Sequence, residues 1–104
     1  MNTKQTILLV DDIKENIDVL IQLLDTYDLI PAINGQTAIY IAIEEENIDL
    51  ILLDIMIHEK NGFEVCEILK SNPKTMHIPI MFLSAKNKQK IKIRINCIWV
   101  LTVI

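Results

Sequence analysis

Apolar residues arrive along this chain in two rhythms. Thr6 to Val10 is a short run of β-branched and aliphatic side chains that stops abruptly at Asp11 and Asp12, which predicts a buried strand with acids at its carboxyl end. From Ile17 the period changes. Ile17, Leu20, Ile21 and Leu24 fall at i, i+3, i+4 and i+7, with Lys14, Glu15, Asp18, Gln22 and Asp25 opposite them, so the spacing predicts an amphipathic helix over 14–27. Leu29 to Ile33 reads as a second strand, and its Pro31, lacking an N–H, belongs near a sheet edge. Asn34 and Gly35 turn the chain into a helix over 36–46. Ile48 to Leu53 is the most apolar run of the first half and again ends on an acid, Asp54, which predicts a central strand. Residues 55–62 form a loop closing on Asn61 and Gly62, and Phe63, Cys66, Ile68 and Leu69 support a helix that stops before Pro73. Ile78 to Leu83 is a fourth strand, ending at Ser84.

Strands alternating with helices imply a doubly wound parallel sheet, an α/β fold with helices on both faces, because parallel strands need right-handed crossover connections. Ligands bind such sheets at the carboxyl ends of the strands, beside the point where strand order reverses. The polar residues at those ends are Asp11, Asp12, Asp54 and Ser84. Singly, each acid is an ordinary cap or turn residue, and Asp12 in particular suits the start of the following helix. Together, three converging carboxylates repel one another unless a divalent cation sits among them, and an oxygen-only donor set selects Mg²⁺ over zinc. A carboxylate beside such an ion is a competent nucleophile toward phosphorus, with an aspartyl phosphate as product.

Composition narrows the class without changing it. The chain has 104 residues, 51% of them hydrophobic, enough for one core and therefore one domain, 1–104. No apolar run approaches the roughly 20 residues of a membrane-spanning helix, and the amino end has neither the apolar stretch nor the cleavage site of a secretory signal, so a cytoplasmic protein without membrane contact is expected. Cys66 and Cys97 fit no metal knuckle or disulfide framework and are expected to be buried, reduced thiols. All 14 acids lie at or before Glu67, whereas residues 68–104 carry only basic charges. Lys86, Lys88, Lys90, Lys92 and Arg94 lack interleaved aromatics, so this run reads as a solvated face and no nucleic-acid binding is expected.

Four separated motifs resemble the receiver domain of bacterial two-component response regulators, the CheY-like fold. They are Ile7 to Asp12 after the first strand, Leu52 to Asp54 after the third, Gly62 in the following loop, and Ile78 to Ala85 at the fourth, in matching order and distance over residues 5–86. The resemblance implies a three-layer α/β/α flavodoxin-like fold and a phosphoacceptor that receives its phosphoryl group from a sensor histidine kinase with Mg²⁺. It implies Asp54 as the acceptor and Asp11 and Asp12 as the acid pair, Asp12 binding the metal directly, with the backbone carbonyl of Met56 as a further ligand. Ser84 would donate a hydrogen bond to the phosphoryl group and act in switching, and the Ala85 N–H would face the same oxygens. Such a domain is not an enzyme in its own right, at most catalysing its own phosphorylation and dephosphorylation. Ile57 and His58 replace the usual Met-Pro after the acceptor; His58 and His77 are read as plain surface residues. A haloacid-dehalogenase-type phosphatase would need a second Asp two residues beyond Asp54, where Met56 stands.

Residues 87–104 depart from the family. Lys88, Lys90, Lys92 and Arg94 alternate with Ile91, Ile93 and Ile95 at a period of two, a strand pattern where the family has a helix. The family lysine would fall at position 106, past Ile104, its aromatic near Val103 and its glycine on Trp99. Read one frame over, the codons of Trp99 and Val100 can yield only glycine, and some codon choices for Val100 to Ile104 give Ile-Asp-Cys-Tyr, so a frameshifted, mis-sequenced or truncated carboxyl end is expected. Without a final helix, one face of the sheet would be half covered by the helix at 14–27, inviting self-association. The alternative function is a receiver remnant unable to switch, acting at most as a kinase-binding module.

Overall fold

The computed structural model describes residues 4–55, 57, 61–84 and 101–103. Its elements are β1 (Thr6–Val10), α1 (Lys14–Leu23), β2 (Asp28–Ala32), α2 (Gly35–Glu44), β3 (Ile48–Asp54), α3 (Gly62–Lys70), β4 (Ile80–Ser84) and β5 (Leu101–Val103). All paired strands are parallel, in the order β2-β1-β3-β4-β5. The chain moves to one side of β1 to make β2 and to the other to make β3, so strand order reverses between β1 and β3. The doubly wound α/β fold expected from the alternation of elements is the one formed.

Alternation along each strand divides the core between the two faces. Leu8, Val10, Ile51, Leu53, Ile80 and Phe82 pack with Ala38, Ile39 and Ala42 of α2 and with Val65, Cys66 and Leu69 of α3. Ile7, Leu9, Leu52 and Leu83 point the other way, onto Leu20 of α1. Among the described residues this second face carries α1 alone. Leu50 and Met81 stay half-buried there and, with Ile7, Leu24 and Tyr27, line a groove of about 330 Å³.

Both asparagines that precede a glycine are helix caps. Asn34 Oδ1 accepts from the Thr37 N–H at 2.7 Å, and Asn61 Oδ1 from the Glu64 N–H at 3.0 Å, each satisfying a donor that the first helical turn leaves over. Helix α1 is capped differently: its N-cap is Ile13, which has no side-chain acceptor to offer. It ends at Leu23, four residues short of the predicted limit, because Leu24 leaves helical geometry and its N–H closes the last turn on the Leu20 carbonyl.

The connection from α3 to β4 is tied to the helix that precedes it. Lys70 Nζ donates to the carbonyls of Met76 and Ile78 at 3.1 and 2.6 Å, and burial lowers its pKa below that of an ordinary lysine. The fully buried Thr75 hydroxyl donates to the Leu69 carbonyl at 2.6 Å. β4 starts at Ile80 rather than at 78 because Pro79 has no N–H for the ladder; its carbonyl still accepts from Ile51 at 3.0 Å. Cys66, buried on α3, is disulfide-bonded, which corrects the reduced thiol expected from sequence. Spacing along the chain carries no Cα separation, and separation in space decides bridging. The period-two segment at 88–95 lies outside the described residues.

Candidate functional site

Residues 11 and 12 follow the carboxyl end of β1, and residue 54 ends β3, the neighbouring strand across the point of reversal. The sheet holds the first turn of this junction in place: the Asp11 N–H extends the ladder to the Ala32 carbonyl at 3.0 Å. One carboxylate oxygen from each of Asp11, Asp12 and Asp54 lies within 4.8 Å of the other two. Asp11 is only 4% exposed, Asp54 is half-buried and Asp12 is exposed, so the cluster grades from core to solvent. Like charges at this range repel by a few kcal/mol per pair, in order of magnitude, at the effective dielectric of a protein surface. Oxygen donors of this number and hardness suit Mg²⁺, which takes one or two carboxylates and keeps several waters. The three acids singled out from the sequence therefore meet, and their donor set fits the ion expected there.

Asp11 is held by neutral donors on both oxygens. Oδ1 accepts from the Ile13 N–H at 2.9 Å and Oδ2 from Asn16 Nδ2 at 3.2 Å. The first of these bonds ties the N–H of Ile13, the residue that starts α1, back to Asp11. Neither donor carries a charge, so neither cancels that of the carboxylate.

Gly62 sets the other wall. Its N–H donates to the Ile55 carbonyl at 2.7 Å, and a Cβ built on it would lie 2.5 Å from the Asp54 carbonyl oxygen and 3.0 Å from the Ile55 Cα. Any larger residue would push α3 away from the backbone that carries Asp54. Phe63, the next residue, packs edge-on against Phe82, ring centroids 5.4 Å apart, so α3 is located by core packing as well.

Ser84 ends β4 one residue beyond Leu83, the register partner of Asp54, which brings its backbone to the same edge of the sheet. Met56, Ala85 and His58 lie outside the described residues. His77 is exposed at the opposite, amino-terminal edge, beside Lys4, Thr6 and Asp49 around a cavity of about 770 Å³, and takes no part in the acidic cluster. The sequence reading passed over Asn16, because a polar residue in the first turn of a helix looks like any solvated position. Its one signal was the spacing from Asp11, five residues back and across the strand-to-helix turn.

The family model described as the response regulator receiver domain matches residues 7–98. A probable cyclic di-GMP phosphodiesterase of Vibrio cholerae is 45% identical over 83 residues, covering 79% of this chain and 19% of that protein. Response regulator PleD of Caulobacter vibrioides is 41% identical over 81 residues, or 76% of this chain and 18% of that protein. The chain thus spans about a fifth of the length of these curated relatives. Among solved structures, the N-terminal domain of a response regulator receiver protein from Methanoculleus marisnigri superposes with a TM-score of 0.73 at 37% identity, covering 81% of this chain and 69% of that one.

Proposed function

The chain belongs to the response regulator receiver domain family of two-component signalling, matched over residues 7–98, and on that premise we propose that it is a cytoplasmic phosphoacceptor. In this reading a phosphohistidine on a sensor histidine kinase is the donor and Asp54 the acceptor. An Asp54 carboxylate oxygen attacks phosphorus; the new P–O bond forms as the P–N bond breaks, and the departing imidazole nitrogen is left to take up a proton. The observation that carries the proposal is the convergence of Asp11, Asp12 and Asp54 within 4.8 Å at the reversal of strand order.

Asp12 and Asp54, with the Met56 carbonyl, would hold Mg²⁺, and Asp11 would complete the acidic set. The ion, when bound, supplies positive charge that offsets the charge on the transferring group. Asp54 suits the nucleophile because it ends the central strand and stays half-buried. Asp11 is enclosed, with both oxygens already engaged. The Ser84 hydroxyl and the Ala85 N–H would donate to the phosphoryl oxygens and carry the change toward the following segment. The domain then performs no turnover beyond its own phosphorylation and dephosphorylation.

Adding Mg²⁺ and then beryllofluoride to the isotope-labelled protein tests this reading directly. Amide resonances of residues 11–13 are expected to shift on Mg²⁺, and those at 54 and 84 to shift further on beryllofluoride; strand-end resonances left unmoved at saturating Mg²⁺ would sink the assignment. Self-association belongs to the same proposal and is supported by the groove that Ile7, Leu24, Leu50 and Met81 line on the α1 side of the sheet among the described residues. Sedimentation velocity over a range of concentrations is expected to show a weak dimer that Met81→Glu abolishes, and a monomer at every concentration would remove that part.

A further inference from the structure

We propose that Asn16 is a positioning residue for the acidic cluster, holding the Asp11 carboxylate in the orientation from which it joins Asp12 and Asp54 around a divalent cation. The inference rests on the metal reading above. It starts from a local conflict. Asp11 is buried, and a buried carboxylate needs either a counter-charge or hydrogen bonds to each oxygen. A cationic side chain would meet that need but would compete with the metal for the same oxygens. An amide N–H meets it without charge.

The described residues follow the second solution. Ile13 N donates to Oδ1 at 2.9 Å and Asn16 Nδ2 to Oδ2 at 3.2 Å, one donor for each oxygen, so rotation of the carboxylate breaks at least one bond. Each oxygen keeps a further lone pair for the cation or its waters. Asn16 is itself anchored, because its backbone N–H donates to the Ile13 carbonyl at 3.1 Å in the first turn of α1, and Ile17 and Leu20 bury the inner face of that helix. The position of the donor is therefore fixed by the packing of α1 on the sheet. Groups that orient metal ligands in this way contribute strongly to affinity: their removal costs roughly 10- to 100-fold.

A simpler role would be to secure the start of α1, and the experiment separates the two. Mg²⁺ affinity is measured by NMR titration, far below the unfolding temperature, for wild type, Asn16→Ala and the similarly sized Asn16→Leu, and for Asp11→Asn with and without Asn16→Ala. Thermal midpoints are taken without Mg²⁺. The expected result is about a tenfold or larger loss of affinity in both single Asn16 variants, no further loss when Asn16→Ala is added to Asp11→Asn, and a shift of the Asn16 side-chain amide resonances in wild type as Mg²⁺ is added. Unchanged affinity with a lowered midpoint would make Asn16 a helix-start residue only and overturn the proposal. An equal loss in the Asp11→Asn background would overturn it as well, since the effect would not pass through Asp11. Wild-type protein that binds no Mg²⁺ would overturn the metal reading itself, a separate outcome.

Discussion

Asp54→Asn is expected to take up no phosphoryl group from acetyl phosphate under conditions in which the wild-type chain gains one, read by intact mass. The amide nitrogen is neutral and poorly nucleophilic, and the amide oxygen would have to give up amide resonance to attack, so the loss should be complete rather than graded. Asp11 and Asp12 do not take over. Asp11 is 4% exposed with each oxygen accepting a hydrogen bond, and Asp12 belongs to the proposed metal set. The substitution keeps shape and volume and removes one of three mutually repelling carboxylates, so in the absence of Mg²⁺ the thermal midpoint should hold or rise. A chelator should suppress uptake by wild type to the same baseline, because the charge on the transferring group is then unopposed. Equal incorporation by wild type and Asp54→Asn would move the acceptor elsewhere and remove the central claim about this site.

Phe82→Ala carries the largest expected effect on stability, a loss of about 3–5 kcal/mol. Phe82 is fully buried in β4, packs with the α2 and α3 side of the core, and meets the Phe63 ring edge-on at 5.4 Å. Truncation removes that contact and leaves a cavity that sheet and helix, pinned on both sides, have little freedom to close. Set against the total of roughly 5–15 kcal/mol typical of a domain, this would leave a large share of the molecules unfolded in modest urea. Equilibrium urea unfolding should show a lower midpoint at unchanged slope, and Phe82→Leu should lose under about 1.5 kcal/mol, because most of the volume is kept. The same truncation should disturb the acidic cluster, since Phe63 follows Gly62 and helps to seat α3 against the Asp54 backbone. A loss below about 1 kcal/mol would mean that Phe82 is not the central packing residue its burial indicates.

Most of the framework was legible in the chain because the signals are local. Apolar runs ending at Val10, Leu53 and Leu83 marked strands; the spacing of Ile17, Leu20 and Leu24 marked α1; Asn34 and Asn61 before glycine marked helix starts. Even the meeting of Asp11, Asp12 and Asp54 followed from the sequence, since parallel strands with right-handed crossovers bring their carboxyl ends to one edge. The contacts that give this edge its detail were not legible. Nothing in the neighbourhood of Asn16 says that its amide turns back to Asp11, that Gly62 lies against the Asp54 carbonyl, or that the Asp49 carboxylate, 43 residues away, accepts from the Thr6 N–H at 2.9 Å. Periodicity and turn chemistry act over a few residues and determine which segments pair and which faces are buried. Which oxygen meets which donor depends on separations of tenths of an ångström between segments far apart in the chain, and only the closed packing of helices on the sheet decides those.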